Sequence, residues 1–292
     1  MQYIAKDDHV FAMNGQNKAS YTVKPDEPFT VEMFDCFSNT VHTEDDLISS
    51  IDFNKINPAT GPIYVEGAEP GDVLKVTIHQ IDLKEQGAVM SVPDLGVLGE
   101  QITKEKTAIL KVNHNSFEYR GRTFPLLKMI GVIGTAPADD QSVETGTPDQ
   151  HGGNLDCTLV QEGNHIYLPV NVPGALLAMG DMHAAMGDGE VGGSGLEVGG
   201  TAEISVEILK DSNLPTPFIE TSDRFASIGV HEDMFTASKE ATNKMAQFLV
   251  NYHDFTIEDA HMALSLLGNL IVCQAVNPKI SMRMEIPKSL IH

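Results

Sequence analysis

Two stretches, DVLKVTIHQI (72–81) and AEISVEIL (202–209), alternate apolar and polar residues one for one, and this period of two limits the fold more than any other feature. Leu74, Val76 and Ile78 alternate with Lys75, Thr77 and His79, and Ile204, Val206 and Ile208 alternate with Glu203, Ser205 and Glu207. Successive side chains of an extended chain point to opposite faces, so each stretch reads as a strand with one buried face. FTVEM places Phe29, Val31 and Met33 in the same way. Gly and Pro interrupt the first 210 residues repeatedly, as at Pro58, Gly61-Pro62, Pro70-Gly71 and Pro173-Gly174. Many short strands between such turns predict a mainly β chain, folded as a sandwich or barrel.

The pattern changes after Lys210. DSNLPTPFIETSD carries two prolines that disfavour helix and reads as a linker. Beyond it Met234, Ala237, Ala241, Met245 and Phe248 recur every three or four residues, a helical stripe. TIEDAHMALSLLG predicts a second helix, with Thr256 as cap, Asp259 completing the box and Gly268 ending it. NLIVCQAV and ISMRMEIP then form a predicted hairpin across Asn277-Pro278. The expected organisation is a β core over residues 1–210 and an α+β part over 211–292 packed on it.

The 292 residues include 41 acidic against 19 basic ones, a net charge of −22. That balance argues against nucleic-acid partners, whose phosphates require Lys and Arg, and against anionic membrane surfaces. It leaves a solvated acidic surface, or carboxylates that hold cations. Cys36, Cys157 and Cys273 are far apart and form no C-x-x-C pair, which fits a reducing cytoplasm. No basic and apolar leader opens the chain, and no apolar run reaches the roughly 18 residues needed to span a bilayer.

Chemistry concentrates in three places. GDMHAAMGDGE (180–190) holds Asp181 and His183 two residues apart, hence on one face if extended, and repeats that spacing with Asp188 and Glu190. One imidazole among carboxylates suits zinc or another divalent ion, and a carboxylate left off the metal can act as general base. The same residues also read as an acidic turn with a hydrogen-bonded histidine. DQHGGNLDC (149–157) offers Asn154 as a donor to an oxyanion and Asp156 as a ligand, or simply an Asx-rich turn. Asp35 interrupts an apolar strand pattern, so it is either paired or metal-bound. Among nucleophiles, Ser194 fails the G-x-S-x-G pattern, and the thiol of Cys157 sits beside Asp156, which would raise its pKa.

Taken together, GPIYVEGAEPGDVLKV, IGVIGTAP, HGGNLDC, YLPVNVPGALLAMGDMHAAMGDGEV and GVHED resemble the acetamidase/formamidase family over nearly the whole chain. The resemblance implies a jelly-roll-like β-sandwich with an added C-terminal α+β part. It implies metal-dependent hydrolysis of short aliphatic amides such as formamide and acetamide, most simply with zinc. Asn154, Asp156, Asp181, His183, Asp188 and Glu190 match the family's polar positions, and Asp35, Glu66 and Glu197 match further acidic ones. A histidine that some members carry before PGVIG is replaced here by Met129. On this reading His183, Asp35, Asp156 and Asp181 hold the metal and Glu190 moves the proton. Asp188 or Asp181 orients His183, Asn154 steadies the oxyanion, and Gly153 and Glu66 border a small amide substrate. Two other readings keep the fold: a calcium-stabilised binding protein without catalysis, and a thiol amidase using Cys157. A homo-oligomer is expected from the symmetry habits of soluble enzymes.

Overall fold

The computed structural model describes residues 1–138 and 140–291. The alternating stretches are strands, Val73–Leu83 and Gly200–Leu209, paired antiparallel along their length. Leu74, Val76, Ile204 and Val206 are fully buried, while Lys75 and Glu207 meet across the outer face at 3.4 Å.

Among the described residues the strands form two larger sheets. The nine-stranded sheet runs Gln2–Ile4, Phe29–Met33, Gly200–Leu209, Val73–Leu83, His165–Pro169, Phe218–Glu220, Arg224–His231, Ile280–Pro287, Asn269–Gln274. The second runs Gly152–Asn154, Met129–Gly134, Leu177–His183, Ala59–Val65, His9–Val10, with Tyr21–Val23 also paired to Ala59–Val65. One core lies between them: Ile4, Val31, Leu74 and Ile204 from the first sheet pack with Ile63, Ile133, Leu177 and Met179 from the second. The architecture is a mainly β sandwich with C-terminal helices.

The nine-stranded sheet crosses position 210 without a break, because Phe218–Glu220 pairs with His165–Pro169. Helix α1 (Met234–Tyr252) and helix α2 (Ile257–Leu267) cover one face of this C-terminal half. Of the predicted stripe, Ala237, Ala241, Met245 and Phe248 are buried against Phe218, Phe225, Met282 and Met284, while Met234 in the first turn is exposed, and each large side chain so buried contributes about 1.5–3 kcal/mol. Gly229 permits this packing, since a Cβ there would lie 2.1 Å from the Ala237 carbonyl. The Thr256 side chain caps α2 by accepting the Asp259 N–H and donating to the Asp259 carboxylate at 2.7 Å. Gly268 ends α2 by a different route than expected. Its backbone is extended, at φ −86°, and the missing Cβ makes room for the Met284 methyl group.

Strand Ile280–Pro287 is covered on both faces. Met282, Met284 and Ile286 meet the helices, while Ser281, Arg283 and Glu285 are also nearly fully buried. Its alternation therefore marks two interior faces, and the polar one supports the site. No helix among the described residues is long and apolar enough to cross a membrane.

Candidate active site

The site is built where Met129–Gly134 lies between Leu177–His183 and Gly152–Asn154. Asp181 and His183 end one neighbour, and Asp156 follows the other. Gly131 lies beneath both carboxylates: a Cβ there would be 2.5 Å from Asp156 Oδ1 and 2.7 Å from Asp181 Oδ2. Glycine leaves the space in which these two acids converge.

His183 Nε2 is 3.3 Å from Asp181 Oδ1 and 3.0 Å from Glu197 Oε2. Neither contact is aligned as a hydrogen bond. Asp156 Oδ1, Asp181 Oδ1, Glu197 Oε2, Asn154 Oδ1 and both ring nitrogens of His183 are buried with no hydrogen-bond partner among the described residues. Leaving a buried polar group unpaired costs about 1–3 kcal/mol, and more when it is charged. Two sets of potential ligands meet here, Asp156 with His183 and Glu190, and Cys36 with Asp181 and Glu197, the atoms of each set lying within 4.8 Å of one another. Converging, unpaired O and N atoms over a glycine, with a thiol nearby, are what a divalent cation would satisfy.

The backbone is strained at the same place. Asp156, Asp181 and Glu190 have φ of 43°, 56° and 43°. Left-handed backbone costs an L residue about 1–2 kcal/mol, and such strain collects at functional sites. Burial pushes the Asp156 carboxyl up to about 7, with the Asp181 charge adding to it, and pushes Glu190 well above the usual carboxylate range, with the Asp156 charge adding to it. Burial also raises Glu197, again with Asp181 adding. For His183 burial opposes the charged ring, but Glu197 and Asp181 outweigh it and hold the imidazole well above its ordinary pKa.

The acetamidase/formamidase family model matches this chain over residues 16–145 and 138–291. The chain belongs to that family. It is similar in structure to an acetamidase from Bacillus halodurans, at 40% identity and a TM-score of 0.96 over 99% of this chain and 98% of that one. An acetamidase from Yersinia enterocolitica matches at 28% identity and a TM-score of 0.94, covering 100% of this chain and 93% of the other. The acetamidase of Mycolicibacterium smegmatis is 26% identical over 263 residues, 66% of this chain and 64% of that protein. The chain spans less than two thirds of the length of the curated relatives it matches.

Of the residues that carry the family resemblance, the fold brings Asp156, Asp181, His183 and Glu190 together, with Asn154 buried beside Asp156. Others do not join the two ligand sets. Asp35 does not join either ligand set: its Oδ1 accepts the Asn39 N–H at 2.6 Å in a tight turn, and the next residue, Cys36, faces Asp181 and Glu197 instead. Asp188 does not reach His183, because Arg283 grips it with two bonds at 2.7 and 2.8 Å and Thr158 donates to it at 2.7 Å. Glu66 is exposed in the turn after Ala59–Val65 and belongs to neither set. Gly153 does not line the large cavity, and a Cβ at its φ of 83° would meet the Thr147 carbonyl at 2.5 Å. Cys157 is fully buried in the core and forms no part of the wall of the large cavity at the site. The adjacent Cys273 thiol lowers its pKa, but a thiolate there has no open route to substrate.

Sequence reading did not single out Cys36, Gly131 or Asn277, and it placed Glu197 only by resemblance. Asn277 Nδ2 donates to Asp156 Oδ2 at 2.8 Å from the hairpin loop after Asn269–Gln274. Gln274, fully buried, holds that loop by accepting the N–H groups of Val276 and Asn277. No local spacing could announce these partners, which come from distant segments.

Proposed function

We propose that this protein hydrolyses primary carboxamides to a carboxylate and ammonia, with a divalent cation held at the carboxylate–histidine cluster. The observation that carries the reading is the convergence of unpaired buried atoms from Asp156, Asp181, His183 and Glu197 over Gly131. His183 and Cys36 favour zinc over calcium, since calcium prefers an all-oxygen shell. The curated and structural relatives described as acetamidases support the amide substrate.

A bound divalent ion would polarise the amide carbonyl and make a nearby water more acidic. Glu190 is the member of the two ligand sets that also lines the large cavity among the described residues. It is therefore the group placed to meet a substrate. Its carboxylate takes a proton from the attacking water, the water oxygen bonds to the carbonyl carbon, and the C–N bond breaks as the proton passes to the leaving nitrogen. Its raised pKa suits a group that must take up a proton and release it. Asn277 fixes the Asp156 carboxylate, and Gly195 packs against the His183 ring, where a Cβ would come within 3.0 Å.

The test is ammonia release from acetamide by the protein as isolated, after chelation, and after zinc is restored. Loss on chelation and recovery with zinc is the expected result. Turnover that persists after metal removal verified by elemental analysis would refute the metal role, and turnover of no amide by folded, zinc-loaded protein would refute the hydrolase reading.

A further inference from the structure

We infer that the site is built for primary amides carrying an apolar chain or ring of several carbons, beyond formamide and acetamide. This deepens the amide-hydrolase reading and rests on it. Glu190 opens onto a cavity of about 1020 Å³. Pockets that enclose drug-sized ligands run about 300–1,000 Å³, and acetamide has four heavy atoms. The wall beyond Glu190 is apolar, formed by Val89, Leu110, Phe117, Phe124, Leu126 and Met186. Phe117 and Phe124 stack with ring centroids 5.6 Å apart on a hairpin of Ser116–Tyr119 and Arg122–Pro125. Phe124 nevertheless remains 40% exposed. An aromatic surface left open to water in the same cavity as Glu190 is stabilised when an apolar ligand covers it.

Several charged and hydroxyl groups elsewhere in the wall are already engaged. Lys128 Nζ donates to the Ile81 carbonyl at 2.7 Å, Asp188 is held by Arg283, and Ser194 Oγ donates to the Gly195 carbonyl at 2.9 Å. The amide head of a ligand is assigned to Glu190, the lining residue that also belongs to the ligand sets, and its acyl chain to the apolar wall.

Burying each added methylene strengthens transition-state binding by on the order of fourfold. From acetamide to hexanamide, with four more carbons, the ceiling is roughly 200-fold, and a gain of at least about tenfold in kcat/KM is expected even with partial burial. The experiment compares kcat/KM for acetamide, butanamide, hexanamide and benzamide on the zinc-loaded protein. In parallel, calorimetry measures the binding of acetamide and hexanamide. Phe124→Ala, at a half-exposed site that leaves the core intact, should collapse the hexanamide-to-acetamide ratio in both assays. Acetamide hydrolysed as well as hexanamide, or better, would overturn the inference while leaving the hydrolase reading in place. Tighter binding of hexanamide that depends on Phe124, without hydrolysis of any amide, would uphold the cavity's role and reject the hydrolase reading. Equal, weak binding of both amides without turnover would reject both.

Discussion

Asp188→Ala should destabilise the protein by about 2 kcal/mol, an effect that follows from the burial of Arg283. Arg283 is 3% exposed, and its guanidinium is satisfied by Asp188 through two bonds and by Glu285 through one at 2.6 Å. Glu285 is itself shared with Arg224 at 2.6 Å. Removing one partner of a buried ion pair costs about 3–5 kcal/mol, because the remaining charge is stranded. Here the Asp188 side chain is 40% exposed, so water can reach the vacated position, and Glu285 still neutralises the cation. Those two facts bring the expectation down to about 2 kcal/mol, a Tm loss of about 3 °C for a chain of this length. Urea unfolding at neutral pH measures it. Burial alone would raise the Asp188 pKa, but Arg283 and Thr158 outweigh it and hold the carboxyl below its usual range. The stabilisation is therefore present above the unfolded-state pKa and is lost as pH falls through the folded one, so variant and wild type should converge in acid. A difference below about 0.5 kcal/mol at neutral pH would refute this account. It would leave the loop to its backbone bonds, Gly189 N–H to the Cys273 carbonyl and Ala275 N–H to the Gly189 carbonyl.

Other outcomes follow from the site and its surroundings. Glu190→Gln should lower ammonia release by at least about 100-fold while bound zinc, measured by mass spectrometry, stays stoichiometric; loss of the zinc instead would make Glu190 an essential ligand. Gly131→Ala would drive a methyl group into Asp156 and Asp181, so its zinc affinity should fall at least tenfold by competition with a chelator, in protein whose circular dichroism is unchanged. His151 is buried, with no hydrogen-bond partner for either ring nitrogen among the described residues, and burial lowers its pKa to about 4. Its neutral form is favoured in the fold, so wild type should lose on the order of 2 kcal/mol relative to His151→Leu as pH falls from about 6.5 towards 4. Cys157→Ala should retain amide turnover in the same ammonia assay, and abolished turnover in a folded variant would restore the thiol mechanism.

What the sequence determined by itself was whatever depends on near neighbours. Alternation at Leu74, Val76 and Ile78 is a local property of extended backbone, and so are the stripe from Ala237 to Phe248 and the Thr256 cap. The pairing of Asp181 with His183, two residues apart on one strand, is local too. The long motifs carried the family as well, because their combined length outweighs any single spacing.

Tertiary structure alone decided which of several similar acids converge around His183. Asp188 and Glu190 have the same two-residue spacing as Asp181 and His183, yet Gly189 and Glu190 take positive φ and send the two carboxylates apart. One meets Arg283 from a strand nearly a hundred residues away, and the other meets Asp156 and His183. Asp35 and Cys36 are adjacent yet differ in partners: the Asp35 carboxylate accepts the Asn39 N–H, while Cys36 meets Asp181 and Glu197. Gly131, Glu197 and Asn277 become neighbours of His183 and Asp156 only when strands and loops from across the chain meet. A carboxylate's role depends on which charges and donors surround it within a few ångströms. That neighbourhood is a product of long-range packing, which the local period of a sequence does not encode.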